Sequence, residues 1–144
     1  MISKNRKGRS GLRIRGGRGH PDVRDALVRY AKWLRERYEF PVRVPVYLTQ
    51  GEFVTTVEGE KVSASFFAPF DRGVEPYIRI ATGDFPGLRR DLGRDDSLAA
   101  FIVSLSHEVI HYHQWIKTGQ TRERGVAKKA VTMLRYYAAT VESP

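Results

Sequence analysis

Five consecutive residues, His107-Glu108-Val109-Ile110-His111, spell the pattern HExxH. On a helix, side chains four positions apart stand one turn apart on the same face, so both imidazoles reach one tetrahedral metal ion. Glu108 is turned by about 100° from His107 on a helix of 3.6 residues per turn. That sets its carboxylate beside the metal's open position, within reach of a water proton. The chain's own content of histidine and glutamate would produce this pentad by accident in under about 1% of random arrangements. The bland alternative is a pair of surface histidines next to a solvated glutamate. Against it, the motif interrupts the most apolar stretch of the chain, with Leu98, Phe101, Ile102, Leu105, Val109, Ile110 and Ile116 around it. Polar groups need a reason to be buried there.

A catalytic zinc site has three protein ligands and one open position. The chain contains no cysteine, which excludes disulfides, thiolate zinc fingers, iron-sulfur ligation and cysteine nucleophiles and leaves His, Asp and Glu as ligands. The longer pattern HExxHxxGxxH fails, because Gln114 and Lys117 stand where it needs Gly and His. His113 is turned by about 200° from His111 and faces elsewhere. Downstream, the carboxylates of glutamate are those of Glu123 and Glu142. Glu123 is preferred because it opens the stripe Glu123, Ala127, Ala130, Leu134, Tyr137, whose helical steps put it on a packing face. Buried and unpaired, a carboxylate there costs several kcal/mol, and a divalent cation compensates its charge. The competing reading is a solvated first-turn glutamate favoured by the helix dipole.

The elements that must position these residues follow from periodicity. Residues 21–38 carry Val23, Leu27, Tyr30, Leu34 and Tyr38 at helical steps, with Pro21 fit for a first turn and Pro41 just beyond the end. Residues 42–48 alternate as a strand, and Pro45 inside it predicts a sheet edge. Residues 53–58 and 61–67 flank Gly59 as a hairpin, and 77–81 form another strand. Residues 82–95 read as a loop. Helices are expected over 97–117, stopped by Gly119, and over 121–139. The expected fold class is α+β, with a small, mostly antiparallel sheet.

With these residues in place, the chain resembles the gluzincin class of zinc metallopeptidases. It looks closest to small single-domain bacterial and phage-associated members related to the ImmA/IrrE type, in which HExxHYxQW runs into a short loop and a helix led by glutamate. Here that stretch is His107 to Trp115, then residues 116–120, then Glu123. The resemblance covers the order of elements from about residue 21 to 144. It implies a zincin-like fold, one Zn2+ held by His107, His111 and Glu123, and hydrolysis of peptide bonds by metal-activated water with Glu108 as general base. Where many gluzincins have Ala or Asp three residues after the ligand glutamate, this chain has Val126. Tyr112, His113, Tyr136 and Tyr137 are candidates to stabilise an oxyanion. Residues 77–80 resemble the zincin edge strand, along which a peptide substrate would add as a further strand; the pattern fits an ordinary interior strand equally.

Charge adds a second expectation. Residues 1–19 contain Lys4, Arg6, Lys7, Arg9, Arg13, Arg15 and Arg18, no acid and five glycines, and so hold most of the formal +9 charge. With little apolar surface to offset an ordering cost of ~1–2 kcal/mol per residue, they read as a flexible basic arm before a domain at 20–144. Such an arm suits nucleic acid or an acidic protein, with salt-sensitive affinity; a solvated extension is the plain alternative. This motivates a different function, a nucleic-acid-associated or protein-interaction domain without turnover. The chain lacks an apolar run of the ~20 residues that span a bilayer. The first twenty residues hold nothing like a signal-peptide core, so a cytoplasmic protein is expected.

Overall fold

The computed structural model describes residues 11–71 and 73–141. The elements run β1 (Leu12–Arg15), α1 (Pro21–Arg37), β2 (Val44–Thr49), β3 (Val54–Thr55), β4 (Lys61–Val62), β5 (Ala64–Phe67), β6 (Tyr77–Ala81), α2 (Phe85–Leu92), α3 (Arg94–Thr118) and α4 (Val126–Ala138). The α+β class is as expected. The sheet is mixed where a mostly antiparallel one was expected. Its order is β1-β2-β6-β5, with β1/β2 and β2/β6 parallel and β5/β6 antiparallel, while β3 and β4 pair separately. Parallel neighbours need a crossover, and α1 supplies the one from β1 to β2.

The first strand overturns part of the expected arm. Leu12 to Arg15 pair with Val44 to Tyr47, and Leu12 is fully buried among Val44, Val46 and the α1 residues Leu27 and Leu34 of one core. Arg35 on α1 also donates to the Leu12 carbonyl at 2.9 Å. Two apolar residues among five charged and glycine neighbours gave too little pattern to show a four-residue strand. Residues 1–10 of the expected arm lie outside the described residues. Leu12→Ala should therefore cost about 2–5 kcal/mol in urea unfolding, the loss of a well-packed leucine. A change under about 0.5 kcal/mol would fit a loose arm instead.

Pro45 does not mark an edge, since β2 lies between β1 and β6. The N–H of Val44 donates to Gly11 on the β1 side, so the next residue faces β6. The ladder to β6 begins only at Val46, and the missing N–H of Pro45 falls just before it. Of the two readings of 77–80, the interior strand holds and the edge strand does not, because β5 pairs with its other side. The run 61–67 divides at Ser63: Lys61 and Val62 close the hairpin with β3, and Ala64 to Phe67 join the main sheet.

Residues 82–95 are not all loop. Phe85 to Leu92 form α2, opened by Pro86 in its first turn and anchored by Phe85, which is fully buried against His20 and Phe101. An eight-residue helix with one buried anchor has too little periodicity to be read. Gly83 just before it lies where a Cβ would come within 2.5 Å of the Gln50 carbonyl. Helices α1 and α3 pack together, with α1 against β1 and α3 against β5 and β6. They cover the sheet face that carries Leu12, Val44, Val46, Leu48, Ile78 and Ile80.

Candidate metal centre

The long helix α3 carries the HExxH pentad near its C-terminal half and stops at Gly119 in the left-handed region, as the sequence expects. Its burial on several sides matches its apolar content: Leu98, Phe101, Ile102, Leu105, Val109, Tyr112 and Trp115 are all in the core. His107 and His111 share one face, with ring centroids 5.0 Å apart. His111 is buried and His107 is partly exposed.

Glu123 reaches the site by a different route from the one expected. It does not lie on a helix, because α4 starts at Val126 after Gly125, which takes the left-handed conformation. Residues 121–125 offer no apolar side chain to pack and are exposed. The buried stripe of α4 is Val126, Ala130, Met133 and Tyr137, while Ala127 is exposed. The two stripes share Ala130 and Tyr137, which is why the wrong one looked consistent. From the turn between α3 and α4, the largely exposed Glu123 carboxylate nonetheless bridges both imidazoles. Its Oε1 is 3.0 Å from His107 Nε2, and its Oε2 is 3.0 Å from His111 Nε2. Glu142 lies outside the described residues.

Gln114, the glutamine of the HExxHYxQW stretch, to which the sequence gives no role of its own, holds this arrangement. Its Oε1 accepts from the Arg122 N–H at 3.0 Å, and its Nε2 donates to the Arg122 carbonyl at 3.1 Å. The pair of bonds fixes which end of the amide is oxygen. His111 Nδ1, 2.9 Å from that oxygen, is therefore the protonated nitrogen of the ring. The neutral ring then turns the lone pair of Nε2 towards Glu123. This nitrogen is buried and makes no well-aligned hydrogen bond. Acceptor thus faces acceptor at 3.0 Å, a repulsive contact unless a proton or a cation lies between them.

A cation fits the donor set. The ligand atoms of His107, His111 and Glu123 lie within 4.8 Å of one another, so the three are close enough to bind one metal ion. Tetrahedral zinc with bonds of about 2.0–2.1 Å separates its ligand atoms by roughly 3.3 Å, which falls within the 4.8 Å span of this cluster. Slight burial pushes the Glu123 carboxyl up, but the His107 and His111 imidazoles, whenever a proton lies between them and the carboxylate, outweigh that through hydrogen bonding and charge and bring it below the ordinary carboxylate range. It is thus an anion ready to ligate. Gln114→Met keeps the volume and removes the bonds. It should weaken metal affinity by about 10–100-fold, as losing an outer hydrogen-bond partner does. It should also release His111 from its single tautomer, as read from imidazole nitrogen shifts by NMR. Unchanged affinity and tautomer would remove Gln114 from this role.

Glu108 is buried, and with Ser63, Ala64, Val103, Ser104 and His107 it lines a cavity of about 260 Å³ between α3 and β5. Burial first, and then the charge of Glu123, push its carboxyl up to about 8. A divalent cation nearby acts the other way and favours the carboxylate. The four oxyanion candidates are engaged elsewhere or turned outward. The Tyr112 hydroxyl bonds the backbone of Val42, and His113 Nε2 bonds the Glu39 carbonyl. Tyr137 packs on Tyr30 and Trp33, and Tyr136 is exposed on the groove between α3 and α4. No helix among the described residues is long and apolar enough to cross a membrane. Compared with models of protein families, with curated proteins and with solved structures, the chain finds no match.

Proposed function

We propose that this chain is a zinc-dependent peptidase of zincin-like architecture, in which His107, His111 and Glu123 hold the ion and Glu108 moves the proton. The observation that carries the reading is the convergence of three ligand atoms beside a buried carboxyl one residue along the same helix. Zinc bound there supplies Lewis acidity, which lowers the pKa of water towards ~7 and polarises a carbonyl. Glu108 accepts the proton of the attacking water as its oxygen bonds the peptide carbon. It then delivers that proton to the amine nitrogen as the C–N bond breaks, leaving a carboxylic acid and an amine, and the water's second proton passes between them to give a carboxylate and an ammonium.

Strand β5 supports a peptide as the substrate. The Ala81 N–H donates to the Ser63 carbonyl, which makes Ser65/Arg79 and Phe67/Tyr77 the hydrogen-bonded pairs of the ladder. The backbone groups of Ala64 and Phe66 therefore point to the open side, where no further strand pairs among the described residues. An extended peptide added there lies across the cavity that holds His107 and Glu108. The test is cleavage of a broad peptide library and of whole proteins by the purified chain. Cleavage should stop with a chelator and return with zinc. Chelator-resistant cleavage, or none across both substrate sets with zinc bound, would overturn the reading.

A further inference from the structure

The helices leave the other face of the sheet to different chemistry. Strand alternation puts Arg13, Arg15, Tyr47, Phe67, Tyr77 and Arg79 on that outer face, opposite the core residues between them. The register sets Arg15 opposite Tyr47, Tyr47 opposite Arg79, and Phe67 opposite Tyr77. Guanidinium, ring and guanidinium thus lie in a row across three strands. Tyr77 stacks on Phe67 at 5.0 Å between ring centroids and meets Tyr47 edge-on at 6.2 Å. The Arg79 guanidinium lies 5.7 Å from the Tyr77 ring and is tied to the Thr55 carbonyl at 2.6 Å, so the hairpin of β3 and β4 reaches that end. At the other end Arg13, Arg15 and Tyr47 are exposed.

The four strands of this sheet contain no Asp or Glu. Arg13 is close enough to help hold the Arg35 guanidinium below its ordinary value, after burial, which marks a positive field at this edge. Four more basic residues, Lys4, Arg6, Lys7 and Arg9, precede Gly11 in the sequence and are tethered to the start of β1. An acidic protein would match the charge, and the row of rings beside the guanidinium groups adds what unpaired bases use, faces on which to stack. Bases can stack on rings only when they are free of a duplex.

We propose that the outer face of the sheet binds single-stranded nucleic acid, with phosphates on Arg13 and Arg15 and an unpaired base on Tyr47, whose ring Tyr77 supports edge-on. Site and surface lie on opposite sides of the sheet, since α3 packs on the inner face, so a strand bound here leaves the metal centre open. The proposal does not depend on turnover. It goes beyond a charged tail, because it names rings that a tail does not contain.

The test is fluorescence anisotropy of the full chain with a labelled oligothymidylate, titrated at several salt concentrations. Tyr47→Ala should weaken binding about 5–100-fold, the usual loss for one stacked base, while Tyr47→Phe keeps it. Replacing both Arg13 and Arg15 with Ala should lower the slope of log affinity against log salt by roughly 1.4. Both positions are exposed, and circular dichroism checks that each variant is folded. Affinity indifferent to all three changes would put the contact in residues 1–10 and overturn the proposal. So would tighter binding to polyglutamate or to a duplex of equal length than to the single strand, or no binding at low salt.

Discussion

Glu108→Gln should keep the metal and the fold and reduce zinc-dependent cleavage by about 10²–10⁴-fold, the usual worth of a positioned general base. Gln fills the same space in the cavity under β5 but has no lone pair basic enough to take a proton from water. The comparison needs metal content measured on both proteins, so that lost activity is not lost zinc. Equal zinc-dependent cleavage by the two would remove this role from Glu108. The same substitution has a second readout in the metal-free protein. The Glu108 carboxyl is raised from 4.5 to about 8, chiefly by burial and further by Glu123, so the fold favours its neutral form. The associated stability is complete below about pH 4.5 and is lost as pH rises through about 8. At about 1.4 kcal/mol per pH unit this amounts to a few kcal/mol. Gln is neutral throughout and should flatten that dependence in urea unfolding with a chelator present. Parallel curves for both proteins would show that Glu108 is solvated.

How far the sequence could be read depends on how each element earns its place. The pentad was legible because a helix fixes the spacing of His107 and His111 regardless of what surrounds it, and α3 is long and apolar enough to be certain as a helix. The framework of α1, β2 and β6 was legible for the same reason, namely long stretches with one period. Strand β1 and helix α2 were not, because each is held by one or two buried residues, Leu12 or Phe85, whose partners are far along the chain. Sheet order was hidden for a related reason. Nothing local in 77–81 distinguishes an interior strand from an edge, and Pro45 signals an edge only when its missing N–H would fall within a ladder, whereas here it falls just before one. Glu123 was named on a mistaken stripe, and it reaches the histidines from a turn fixed by Gly125 and by the Gln114–Arg122 pairing. That pairing joins a side chain to backbone eight residues away in a turn, which no periodicity reveals.

The turn makes a sharp expectation for the metal. Glu123 is largely exposed and supports no core contact, so Glu123→Ala should leave the metal-free protein about as stable as the wild type, within ±0.5 kcal/mol. It should at the same time lower zinc affinity by more than the 10–100-fold expected for an outer partner, because a ligand itself is lost. Thermal unfolding separates the two statements. At a free zinc concentration about 100 times the dissociation constant, binding to the folded state alone adds ~2.7 kcal/mol. For a chain of this length that raises the midpoint by several degrees. The wild type should show this shift and lose it with a chelator, while Glu123→Ala at the same zinc concentration should show little of it. Glu142→Ala is the control for the other downstream glutamate and should behave as the wild type. If Glu123→Ala keeps full occupancy and the full shift, the turn carboxylate is no ligand and the histidines hold their ion with another group. If Glu142→Ala abolishes the shift instead, the carboxylate was assigned to the wrong end of α4. Loss of the shift in Glu123→Ala alone ties the ion to the turn, where Gln114 and Arg122 hold the backbone against α3.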